Sequence, residues 1–250
     1  MGGHSHWAGI KHKKAITDAK KGKVWTKIVR EITMAARMGG GDPGANPRLR
    51  RAVDDARASN MPSDNIKRAI QKGTGELEGA AYEELVYEGY GPGGTAILVQ
   101  VTTDNRNRTG NEIALIFTQN GGNKGEVGCV GWMFKAQGLI AVAKSAAPDE
   151  DAVMSRALDL GAEDFSAEDK ENYEIYTDPK DLDKVKDGLA AAGLTAASAE
   201  IVMNPSTRVP LGEADAQKVL ALIDALEEND DVMKVHANFD IPDEVLSKLG

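Results

Sequence analysis

Cysteine is almost missing from this chain. Cys129 stands alone, which excludes a disulfide framework, a cysteine-based zinc site and thioredoxin chemistry, and points to a reducing cytoplasm. Long apolar runs are missing too. The longest run of Val, Ile and Leu is Ile97 to Val99, whereas a membrane helix needs about 20 apolar residues, so no membrane partner is expected. No apolar stretch follows the basic N-terminus, so no secretory signal is expected, and His6 stands where N-myristoylation requires Ser or Thr.

Catalytic signatures are equally scarce. The chain has no Gly-x-Ser-x-Gly elbow, Walker loop or His-Glu-x-x-His motif. His4 with His6 makes at best a weak chelate, Cys129 reads as a small packing residue, and Glu227-Glu228 with Asp230-Asp231 read as solvated charge near a helix end. No enzyme, metal or cofactor is expected.

What is abundant is charge, and it is unevenly placed. The 250 residues carry 30 Lys and Arg against 39 Asp and Glu, a net charge of −9. Residues 1–75 hold 16 basic and 6 acidic residues, net +10, and residues 76–250 hold 14 and 33, net −19. A strongly basic segment on an acidic body marks a chain that meets a polyanion with one part only.

The basic segment reads as helical. From Val24 to Met38, Lys23, Lys27, Arg30 and Arg37 fall within about 80° of one another at 100° per residue. Val24, Ile28, Ile32, Ala35 and Ala36 fall on the other side, and Gly39-Gly40-Gly41 closes the helix. A second helix starts at Asn46-Pro47, an N-cap followed by a proline at the first helical position. Its first turn holds Arg48, Arg50 and Arg51, where the helix dipole favours acids. Three guanidiniums and free N–H groups make a phosphate cradle; pairing with Asp54 and Asp55 is the alternative. A third helix runs from Pro62 to Lys72, stopped by Gly73, and the arm ahead of the module carries Lys11, Lys13 and Lys14. The candidate nucleic-acid contacts are therefore Lys11, Lys13, Lys14, Lys20, Lys23, Lys27, Arg30, Arg37, Arg48, Arg50 and Arg51.

The acidic part alternates. Glu83 onward and Thr95 to Val101 form a hairpin about Gly91-Pro92-Gly93-Gly94, a helix covers Ile113 to Phe117, and Val130 to Phe134 read as a strand. Between 138 and 205 the order is strand, helix, strand, strand, helix, strand, that of a ferredoxin-like module. A helix from Ala214 to Glu228 and a strand from Val232 to Val235 can complete the sheet begun at Glu83. The predicted fold is multidomain α and β: a helical N-terminal domain at 1–78, an α+β domain from 79–137 with 206–250, and a ferredoxin-like acidic insertion at 138–205. Asp104, Asn105, Arg106, Asn107 and Arg108, between a strand and a helix, form a second candidate site or a hydrogen-bonded hinge.

Several of these motifs together carry a family resemblance. Gly3-His4-Ser5-His6-Trp7, Ile10-Lys11-His12-Lys13-Lys14, Gly39-Gly40-Gly41-Asp42-Pro43, Asn46-Pro47-Arg48-Leu49-Arg50, Asn60-Met61-Pro62, Thr103 to Thr109 and Trp132-Met133-Phe134 closely resemble the YebC/PmpR family along essentially the whole chain. That family includes bacterial transcriptional regulators and a mitochondrial translational activator. The resemblance implies three domains, the ferredoxin-like one inserted in another. It also implies a non-enzymatic regulator whose partner is DNA or, in the ribosome-associated members that help translation through consecutive prolines, ribosomal RNA. A protein–protein adaptor is the remaining alternative. The chain departs from the frequent family pattern at His6, where Lys is common, and at Cys129 and Gly131, where Ser or Ala is common.

Overall fold

The computed structural model describes residues 18–242 and 244–245. Among the described residues three helices come first: α1 (Asp18–Gly39), α2 (Pro47–Ala58) and α3 (Ser63–Thr74). Ile32, Ala35 and Ala36 of α1 are buried against Leu49, Ala52, Val53 and Ala56 of α2 and Ile66 and Ala69 of α3. Val24, expected on the packing face, is 36 % exposed; at this turn Trp25 takes the packing position, its Nε1 donating to the Ser59 carbonyl at 3.1 Å.

Two local devices set the angles of this bundle. Asn46 is the N-cap of α2, its Oδ1 accepting from the Leu49 N–H at 3.1 Å, while its Nδ2 donates to the Ala35 and Gly40 carbonyls at 2.8 and 2.9 Å. One side chain therefore satisfies the start of α2 and the end of α1, where Gly40 takes the left-handed conformation (φ 85°). At Gly73, α3 approaches α1 so closely that a Cβ would lie 2.4 Å from the Thr33 carbonyl oxygen.

The first sheet has the order β3-β1-β2-β9, from β1 (Glu83–Tyr90), β2 (Ala96–Thr103), β3 (Asn123–Lys124) and β9 (Val232–Ala237). The strand predicted near residue 232 thus does join the sheet begun at Glu83, pairing antiparallel with β2. One face, through Ile97, Val99 and Val101, packs on α4 (Arg106–Gln119) and α7 (Glu213–Glu227). The other face, through Ala96 and Leu98, meets Val130, Phe134 and Met203.

The second sheet has the order β5-β6-β4-β7, from β4 (Phe134–Ala143), β5 (Asp164–Ser166), β6 (Asn172–Thr177) and β7 (Ala196–Pro205), every pairing antiparallel. Helices α5 (Glu150–Leu160) and α6 (Leu182–Ala191) bury Val153, Ala157, Leu182, Val185 and Leu189 against Ile140, Val142, Tyr173 and Ile175. Strands β4 and β7 pair without a break from Phe134 with Pro205 to Ala141 with Ser198, so two strands cross together into this sheet. A short parallel pair, β8 (Val209–Pro210) with β10 (Phe239–Asp240), flanks α7.

The strand expected at 130–134 is different in the structure. Gly131–Met133 is a single 3₁₀ turn, and β4 starts at Phe134. The backbone N–H groups of Gly128, Val130 and Gly131, which a strand would give to a neighbour, donate instead to the buried carboxylate of Glu88 at 2.8, 2.7 and 2.6 Å. Among the described residues no helix is long and apolar enough to cross a membrane.

Candidate nucleic-acid interface

Helix α1 does gather its cations on one side, as the 100° spacing requires. That side faces the C-terminal end of α7. Lys23 donates to the Glu228 carbonyl at 3.1 Å and to its carboxylate at 2.6 Å, and Lys27 donates to the Glu227 carbonyl at 2.7 Å. Arg30 donates to the Asp230 carbonyl and pairs with the Asp231 carboxylate at 3.0 Å. The physical reason is general: the last carbonyls of a helix lack intrahelical donors and carry the negative end of its dipole, so cations settle there. Of the four acids read from the sequence as solvated charge, Glu228 and Asp231 offer their carboxylates to the basic stripe, and Glu227 and Asp230 their backbone carbonyls. The partnership holds the Lys23 ammonium above its ordinary pKa, chiefly through the Glu228 hydrogen bond.

The other predicted cations are similarly engaged. Arg37 donates to the Tyr82 and Ala80 carbonyls at 3.0 and 3.5 Å. Arg48 forms a fork with Glu31 at 2.7 and 2.9 Å and also pairs with Glu84, and these hydrogen bonds, Glu31 first, raise its pKa further. Arg50 and Arg51 share Asp183 of α6 at 3.1 and 2.8 Å. Asp54 pairs with Arg57 at 3.3 Å, so the arginines at the start of α2 find acids from other elements and not from their own helix. Lys11, Lys13 and Lys14 lie outside the described residues, as does the side chain of Lys20.

The second candidate site is organised around one buried carboxylate. Asp231, 3 % exposed, accepts from Thr109 at 2.5 Å, Arg108 at 2.6 Å and Thr103 at 3.1 Å. Burial alone would raise its pKa, but these hydrogen bonds and the Arg30 charge together hold it below the usual carboxylate range. Asn105 is the N-cap of α4, accepting from the Arg108 N–H at 3.0 Å, and Arg108 also pairs with Asp104 at 3.0 Å. Arg106 and Asn107 are exposed beside this network. A cleft of about 480 Å³ opens over it, lined by Lys23, Arg30 and Arg108 but also by Asp104, Glu112, Glu228, Asp230 and Asp231. Three cations against five acids make a poor seat for a polyanion.

Three further cations stand outside the predicted set. Lys67, Arg68 and Lys72 on α3 are exposed, and among the described residues they make no ion pair or side-chain hydrogen bond. Asn65 and half-exposed Gln71 share their face, with Asp64 its acid. The periodicity that found the stripe on α1 also finds this one: at 100° per residue the six positions fall within about 160°.

Comparison with known proteins gives consistent results over the whole chain. Residues 5–76 match the family model described as TACO1/YebC protein N-terminal domain, and residues 82–239 that described as TACO1/YebC second and third domain. A probable transcriptional regulatory protein of Pelotomaculum thermopropionicum is 55 % identical over 97 % of this chain and 100 % of its own length. One from Geobacter sulfurreducens is 55 % identical over 100 % of both. The crystal structure of a conserved hypothetical protein from Aquifex aeolicus superposes with a TM-score of 0.86 at 49 % identity, covering 96 % of this chain and 99 % of that one.

Proposed function

Given that this chain belongs to the TACO1/YebC family, we propose that it is a non-enzymatic regulator of gene expression that binds nucleic acid through its N-terminal helices. The observation that carries the reading is the segregation of charge, +10 in residues 1–75 against −19 in the remainder. Pairs with Glu84, Asp183, Glu228 and Asp231 offset part of that charge, so a polyanion is drawn to the exposed cations left over on this segment and repelled by the acidic remainder, which orients the encounter and limits indiscriminate coating. Relatives named probable transcriptional regulatory proteins support a role in transcription. The polar cleft offers little for catalysis, because its Arg30, Arg108 and Asp231 are committed to one another.

The same reading divides the chain into a basic domain at 1–78, an α+β domain from 79–137 and 206–250, and a ferredoxin-like insertion at 138–205, in the cytoplasm. The strand order β5-β6-β4-β7 and the element order of the second sheet support the ferredoxin-like part.

The test is the salt dependence of binding. Each phosphate contact contributes about −0.9 to the slope of log K against log salt on duplex DNA, so a slope steeper than about −3 is expected if several cations engage. A flat slope overturns the reading. Sedimentation of the protein with ribosomes, without any duplex binding at the same salt, moves the target from DNA to ribosomal RNA.

A further inference from the structure

We infer that the outward face of α3, rather than the cationic stripe of α1, is the surface that docks to nucleic acid, and that its occupant is the major groove of a DNA duplex. The inference rests on the nucleic-acid reading above and narrows it to one helix.

The α3 cations are available where those of α1 and α2 are not. Lys23, Lys27, Arg30, Arg37, Arg48, Arg50 and Arg51 all donate to carbonyls or acids of the chain itself. Releasing them for phosphate means leaving buried or half-buried acceptors such as Asp231 and Asp183 without partners, at a cost of roughly 1–3 kcal/mol each. Lys67, Arg68 and Lys72 give up only water.

Helix α3 buries Ile66, Ala69 and Gly73 along one side and lies lengthwise on the bundle. The approach at Gly73 holds it down, and Asp64, Asn65, Lys67 and Arg68 on the opposite side are exposed, while residues 77–79 fold back beside Gln71 and the stem of Lys72, the Leu77 N–H donating to the Gln71 carbonyl at 3.1 Å. It follows α2 after residues 59–62, a four-residue turn in which Asn60 is left-handed (φ 55°) and Met61 plugs the core at 5 % exposure. A turn of this length is shared with helix-turn-helix units, in which the second helix enters the major groove. A helix about 10–12 Å across fits a groove about 12 Å wide.

Cations at positions 67, 68 and 72 suit the phosphates at the groove walls, and Asn65 and Gln71 are the residue types that read adenine through paired donor and acceptor atoms. Asp64, near the start of the helix, accepts from exposed cytosine amino groups in the same geometry. A-form RNA is a worse occupant, because its major groove is too deep and narrow for a helix.

The experiment measures binding of the full chain to a short mixed-sequence DNA duplex and to an RNA hairpin, across a salt series. Lys67→Ala/Arg68→Ala/Lys72→Ala is compared with Lys23→Ala/Lys27→Ala/Arg30→Ala and with the charge-keeping Lys67→Arg/Arg68→Lys/Lys72→Arg. The α3 alanine variant is expected to melt like the parent and to lose about 2.7 of the duplex salt slope, three contacts at about 0.9 each. The charge-keeping variant retains the slope, and the duplex is bound more tightly than the hairpin. If the α3 alanine variant binds duplex as the parent does, or the hairpin is preferred, the inference falls while the broader reading stands. If the parent binds neither nucleic acid, the broader reading itself falls.

Discussion

Thr103 at the end of β2, Arg108 and Thr109 in the first turn of α4 and Arg30 of α1 converge on Asp231, so removing its charge leaves the largely buried Arg30 guanidinium without its carboxylate and two hydroxyls short of an acceptor. Asp231→Asn is expected to destabilise the protein by about 3–5 kcal/mol, the range for breaking a buried pair from one side, measured by denaturant unfolding. The pH dependence has a definite sign. Because the folded-state pKa of Asp231 is depressed, its stabilisation is complete above the unfolded value of about 3.9 and is lost as pH falls toward the folded value. The parent should therefore lose stability in acid more steeply than Asp231→Asn; parallel curves would contradict the hub. Gly73→Ala sets a Cβ 2.4 Å from the Thr33 carbonyl oxygen, and the backbone shift it forces should cost about 1–3 kcal/mol.

Among the elements, the loop between β3 and β4 is held from beneath by Glu88. Three backbone hydrogen bonds outweigh the burial of that carboxylate and lower its pKa. They fix a turn that leaves Trp132 72 % exposed. Glu88→Gln keeps the size but replaces one acceptor oxygen with a donor facing N–H groups. The expected result is faster amide exchange at Gly128, Val130 and Gly131 with the sheet cores unchanged. This loop also marks where the sequence stops being readable. The helices at 47 and 63 announce themselves by Asn46-Pro47 and by periodic apolar residues, and the strand after residue 232 by alternation, because those signals arise from local backbone chemistry. Residues 130–134 look equally strand-like, but their course is decided by a carboxylate some 42 positions away, which no local period encodes.

At the scale of the molecule, the same limit explains the basic stripe. Its place on α1 is legible from spacing, yet its partners lie up to 205 positions along the chain, and nothing in either segment alone pairs them. The two clusters read separately as a phosphate contact and as solvated acid are one internal seam. Replacing Lys23, Lys27 and Arg30 with alanine should loosen that seam: amide protection at residues 229–231 is expected to fall, and proteolysis between residues 75 and 82 to quicken, while Ile140 and Val99 stay protected in their sheets. Unchanged exchange at 229–231 would mean that the seam is ornamental.

The seam also imposes an order in time. A polypeptide is made from its first residue onward, so α1 leaves the exit tunnel long before the α7 carbonyls and Asp231 that receive its cations exist. Throughout that interval the newborn protein presents bare lysines and arginine to the highly charged surface it emerges beside, and only the arrival of residues 227–231 withdraws them. The finished molecule and its own precursor are, electrostatically, different ligands.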